Sequence, residues 1–182
     1  MSGNSKDLYF IGLIAPSAIE EPVLGWKLWM REHFGCKVAL KSPAHITLIP
    51  PFYMEASNEQ AVINFLDEFV KGFPPIDIRL DGFGSFSRRV IFVHVEPNPA
   101  LNNLYDQVSH RFHQVMPDFE PDKRPFQAHI TIANRDIPPR AFRDAMQHFR
   151  EITYADTMHA DSVCLLKLEP GKWKIINRSI LV

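Results

Sequence analysis

The chain writes "HITLIPPF" over residues 45–52 and "HITIANRD" over residues 129–136. The two stretches start 84 positions apart, and each is an apolar run led by His-Ile-Thr. In a β-strand, residues i and i+2 point to the same side. His45 and Thr47 therefore share one face, with Ile46 and Leu48 on the other. His129 and Thr131 repeat the pattern over Ile130 and Ile132. Each strand offers one imidazole and one hydroxyl on an apolar backing. With 8 histidines and four threonines among 182 residues, composition alone gives about 0.2 His-x-Thr pairs. Two, in matching surroundings, are a signal.

The segments around the motifs repeat in order. "LYFIGLIAP" (8–16) reads as a buried strand. Ser17 is placed to cap the next helix, with Glu20 and Glu21 in its first turn, and "FGCK" ends it near His33. "KVALK" reads as a short strand, and the first motif strand stops at Pro50-Pro51. Ser57 then caps a helix with Val62, Leu66, Phe69 and Val70 on one face. "IDIRLDGFGSF" alternates as a half-exposed strand. "VIFVHVEP" (90–97) restarts the series, with the stripe Leu101, Leu104, Tyr105, Val108, Phe112 and Val115 on the following helix. The second motif comes next, then a helix carrying Phe142, Ala145, Met146 and Phe149. "TMHADSVCLLKLE" and "KWKIINRSILV", split by the turn "EPGK", predict a closing hairpin. Pro16 and Pro97 match at an offset of 81, close to the 84 of the histidines. This is an internal duplication. It predicts an α+β, bilobal fold: two antiparallel sheets flanked by helices, with a central cleft between equivalent strands. The whole of residues 1–182 forms one domain, with lobes of about 8–88 and 89–182.

Histidine, with an unperturbed pKa of about 6.5, both gives and takes protons near neutrality. Two imidazoles flanking a phosphodiester supply a general acid and a general base. Threonine hydroxyls can bind the non-bridging oxygens. Donors supplied by the protein make a metal unnecessary. The bland alternative is a pair of buried histidines satisfied by backbone; their equivalent places in the repeat argue against it.

Paired H-x-T-[LI] motifs about eighty residues apart resemble the 2H phosphoesterase superfamily, which includes the 2′-5′ RNA ligase-like proteins and the RNA 2′,3′-cyclic phosphodiesterases. The resemblance runs over almost the whole chain. It takes in "LYFIGLIAP", "SRRVIFVHVEP" and "VCLLKLEPGKWKIINRSILV". It implies that His45, Thr47, His129 and Thr131 are catalytic, with no metal and no cofactor. It implies hydrolysis of 2′,3′-cyclic phosphodiesters, on RNA ends or small nucleotides, to 2′-phosphates. His45 is taken as the acid and His129 as the base. The alternatives are 2′-5′ ligation of RNA ends on the same four residues, and a nucleotide-binding module without turnover. Many RNA ligase-like members carry arginine five residues after the second histidine. Here Asn134 stands there and Arg135 follows, and Pro50-Pro51-Phe52 replaces the usual turn after the first motif.

Phe126 and Tyr53 flank the motifs and are candidate base-stacking residues. Arg135 and Arg89 are candidate substrate contacts, with Arg88, Lys123 and Arg124 as further phosphate candidates. His94 is a candidate to reach the cleft from its strand. His110 and His113 sit at i, i+3 without an evident third metal ligand and read as a polar helix face. A net charge of −1 excludes a protein that coats long nucleic acid, because such binding needs many cations. Cys36 and Cys164 read as two buried thiols. The start "MSGNSKD" lacks a signal-peptide pattern, and no run reaches the roughly 18 apolar residues of a membrane span. The expectation is a cytoplasmic monomer.

Overall fold

The computed structural model describes residues 6–182; the polar N-terminal stretch 1–5 lies outside the described residues. Twelve main elements follow in order. They are β1 (Lys6–Ile14), α1 (Ser17–Phe34), β2 (His45–Glu55), α2 (Glu59–Phe69), β3 (Ile76–Phe86) and β4 (Val90–Val95), then α3 (Pro99–Arg111), β5 (His129–Asn134), α4 (Ala141–Arg150), β6 (Ala155–Ala160), β7 (Ser162–Glu169) and β8 (Lys172–Ile180). They build two four-stranded antiparallel sheets, ordered β2-β1-β7-β8 and β5-β4-β3-β6. The α+β fold with a duplicated pair of sheets is as the sequence predicts.

The sheets are not the two halves of the sequence. β3 from the first half pairs with β4, while β7 and β8 from the second half complete the sheet of β1 and β2. Each half thus lends its late strand to the other sheet. One continuous core of buried side chains runs through both, from Ile11 and Ile46 to Val93 and Ile130. The motif strands β2 and β5 occupy the matching edges and lie beside each other.

Edge position explains the first correction. β2 does not stop at Pro50-Pro51 but continues to Glu55. Proline cannot donate to a ladder, so a strand tolerates it at an edge or a bulge. Here both conditions hold: Tyr9 pairs with Phe52 and Ile11 with Ile49, so two prolines oppose one residue. The second correction is "KVALK", which forms a 3₁₀ turn over Val38–Lys41 rather than a strand. Asp136 fixes it from the other half of the chain, accepting the N–H groups of Lys37 (2.6 Å) and Val38 (2.9 Å) on one carboxylate oxygen. Third, Ser17 and Ser57 are not caps. Pro16 precedes α1, and Ser57 lies inside a 3₁₀ turn (Ala56–Asn58) leading to α2. Asn98 does cap α3, accepting from the N–H of Leu101 at 3.0 Å ahead of Pro99. Gly35, at φ 75°, ends α1 in the left-handed conformation.

β1 and β2 approach closely where Gly12 pairs with Thr47. A Cβ on Gly12 would stand 2.7 Å from the carbonyl oxygen of Ile46, a backbone atom that has little room to move. Gly12→Ala is expected to lower stability by about 1–3 kcal/mol, the usual cost of forced overpacking. Urea unfolding of the two proteins checks it; an unchanged midpoint would mean the strands part freely there.

Candidate active site

Strand alternation places the motif side chains as expected. Ile46, Leu48, Ile130 and Ile132 are buried, while His45, Thr47, His129 and Thr131 are half-buried. All four polar residues open on one groove of about 1230 Å³ between the edge strands. Its walls also include Tyr53, Phe126 and Arg135, three of the four substrate contacts expected from the sequence. Arg89 does not line it; that side chain is exposed on the β3–β4 turn, and its carbonyl accepts the N–H of Arg135 at 3.2 Å. Arg124 lines the groove but is paired with Asp122 at 2.6 Å, whereas Arg88 and Lys123 stay outside. His94 faces His129 across the β4–β5 ladder yet is exposed outside the groove walls. His110 sits at the exposed end of α3 and His113 in the 3₁₀ turn that follows it (Phe112–Gln114), each ring bonded to a backbone carbonyl one turn back.

The two histidines are held alike. His45 Nδ1 lies 2.7 Å from the carbonyl oxygen of Pro43, and His129 Nδ1 lies 2.7 Å from that of Gln127. A carbonyl only accepts, so Nδ1 carries the hydrogen and the neutral ring keeps its lone pair on Nε2. Aromatic rings brace both. Phe10 of β1 packs on His45 at 4.6 Å, and Trp173 meets Phe10 edge-on at 4.7 Å. Phe86 meets His129 edge-on at 4.8 Å, with Phe92 of β4 at 5.2 Å. This enclosure disfavours the imidazolium. Desolvation, then the charges of Lys27 and His129, push His45 down to about 4, against the pull of the Pro43 carbonyl. Desolvation also lowers His129, against the pull of the Gln127 carbonyl.

A family model described as the 2′-5′ RNA ligase superfamily matches residues 15–172. The chain belongs to that superfamily. A Geobacillus kaustophilus protein named "putative phosphoesterase" is 26% identical over 177 residues, covering 95% of each chain. A Geobacillus thermodenitrificans protein of the same name is 29% identical over 146 residues, covering 76% of this chain and 79% of its own. Among solved structures, E. coli LigT complexed with 3′-AMP aligns over 98% of this chain and 99% of its own, with a TM-score of 0.69 and 19% identity. TT0787 of Thermus thermophilus aligns over 96% and 97%, with a TM-score of 0.69 and 17% identity. These two likenesses show the shared fold.

In this superfamily member the end of β5 is unusual. Asn134 lines the groove, and its Oδ1 is buried without a hydrogen-bond partner among the described residues. Arg135 follows in the left-handed conformation at φ 63°, uncommon outside glycine, and still reaches the groove wall. The sequence reading missed Phe10, Phe86 and Trp173 beside the histidines, and Lys41 and Ser42 on the rim. Trp173 follows the Gly171 turn and reaches the groove only because β8 joins the first sheet. Cys36 and Cys164 are buried and free, as expected. No helix of the described residues is long and apolar enough to cross a membrane.

Proposed function

We propose that the chain hydrolyses 2′,3′-cyclic phosphodiesters, at RNA ends or on single nucleotides, to 2′-phosphates without a metal. The observation that supports this most is the matched pair of imidazoles. Both line one groove with Nδ1 held by a backbone carbonyl, which leaves Nε2 as the working nitrogen, and each has a threonine two residues on. One neutral Nε2 removes a proton from water as its oxygen attacks phosphorus. The P–O3′ bond breaks, and the other ring, protonated, gives its proton to that oxygen. The product is a 2′-phosphomonoester, and the rings exchange a proton with solvent to reset. Thr47 and Thr131 donate to the non-bridging oxygens, and Arg135 takes the phosphate-binding place vacated at Asn134. The complexes of E. coli LigT with 3′-AMP and with ATP agree with a nucleotide ligand.

Turnover of nucleoside 2′,3′-cyclic phosphates in EDTA tests the reading. A 2′-phosphate product is expected. Activity lost on chelation, or a 3′-phosphate product, would overturn it. The base has an aromatic platform near His45, because Trp173 lines the groove beside Phe10. Stacking is worth about 1–3 kcal/mol per base, so Trp173→Ala is expected to raise KM by about 5- to 100-fold with kcat far less changed. Steady-state kinetics on two different bases would check this; a fall confined to kcat would place the ring elsewhere.

A further inference from the structure

The buried face of α1 reads Ile19, Val23, Lys27, Met30. A lysine interrupts an apolar stripe there, and it is only 2% exposed. Burying an ammonium is costly unless it is compensated. Its Nζ donates to the carbonyl oxygen of Ser42 at 2.9 Å. Two turns earlier on the same helix, Glu20 accepts the N–H of Ala44 at 2.5 Å, and the carbonyl of Ala44 accepts the N–H of Ala15 at 2.9 Å. Between these anchors lies Pro43, whose carbonyl sets the ring orientation of His45. The residues on either side of Pro43 are therefore pinned, both by charged side chains of α1.

The second motif is braced differently. The corresponding segment, Phe126–Ala128, is held by Phe126 stacked on Tyr105 of α3 at 3.8 Å and 7°, an uncharged contact. The two histidines are alike in tautomer and unlike in the charge behind them. We propose that Lys27 is a positioning residue: its buried ammonium fixes the Ser42–Ala44 segment and biases His45 toward the neutral form that serves as base, which leaves His129 as the acid. The assignment of roles rests on the hydrolytic reading above and reverses the order expected from sequence; the bias itself does not need that reading. The charged groups acting on His45 are Lys27 from α1 and His129 from β5, with Glu20 of α1 bonded to the neighbouring Ala44 N–H and Lys41, Asp122, Arg124 and Arg135 around the groove. Of these, Lys27 is the cation removed from water: burial holds it down to about 8, against the pull of Glu20.

Histidine-labelled protein followed by NMR between about pH 3.5 and 8.5 tests the bias without any substrate, across the unperturbed imidazole range. In the wild type, His45 is expected to titrate below His129. Lys27→Met, close in shape and uncharged, is expected to raise the His45 midpoint by at least about half a pH unit and to leave His129 in place. The acid limb of kcat/KM should rise with it, whereas a merely structural lysine would change stability and leave the midpoint alone. A His45 midpoint at or above that of His129 in the wild type would overturn the proposal even if the variant does not fold. So would an unchanged midpoint in a folded Lys27→Met. A chain inactive on every cyclic phosphate but showing the shift would sink the reaction and leave the role of Lys27 standing.

Discussion

Alanine at His45 or at His129 is expected to cut turnover of a 2′,3′-cyclic phosphate by about 10²–10⁴-fold, the usual worth of one positioned acid or base. The double variant should fall little further than the worse single, because the two rings act as a unit on one displacement through the same phosphorane-like state. Thr47→Val and Thr131→Val should cost less, about 10- to 100-fold, since each removes one hydrogen bond to a charged oxygen. The histidine variants should stay folded: both rings are half-buried at a groove rather than in the core. A base works only when deprotonated and an acid only when protonated. With His45 held near 4 and His129 lowered from its ordinary value, kcat/KM should peak on the acidic side of neutrality and fall as pH rises. Rates in EDTA with circular dichroism on the same samples measure both. Either histidine variant retaining more than about a tenth of wild-type turnover would end the acid–base reading, since it would fall short of one such step.

How much of this was legible follows from range. The motif strands were legible because a period of two needs only neighbouring residues: Ile46 and Ile130 go inward, so His45, Thr47, His129 and Thr131 must go outward. The exchange of β3 and β7 between the sheets was not, because strand alternation names a face and never a partner. The same limit hid Trp173, which is carried to His45 by β8. "KVALK" was misread because its fold is decided by Asp136, about a hundred residues away. The prolines of β2 were read as a stop because edge position is a property of the sheet. Lys27 left a local trace: a charge at i+4 from Val23 on an apolar stripe. Its meaning appears only once α1 lies against Ser42–Ala44.

The strand exchange also sets the stability expected of the molecule. Phe112, just past α3, is fully buried. Its ring meets Phe52 of β2 at 5.1 Å, Phe65 of α2 at 6.0 Å and Phe119 of the following loop at 5.0 Å. It thus ties a helix end of the second half to the motif strand of the first. Phe112→Ala removes those contacts and leaves a cavity that three aromatic neighbours from separate elements cannot all close. A loss of about 3–5 kcal/mol is expected, the upper range for core truncation. If the halves were independent, only the sheet of β1 and β2 would weaken, and unfolding would split into two steps. The shared core and the exchanged strands argue for one step. Trp26 reports on the side of Phe83 and Tyr154, and Trp173 reports on the side of Phe10. Single-tryptophan versions unfolded in urea should give one midpoint, moved equally by Phe112→Ala. Two midpoints, or a shift seen by Trp173 alone, would mean that the groove is a hinge between separable bodies. The distance between the two histidines would then be set by the ligand and not by the fold.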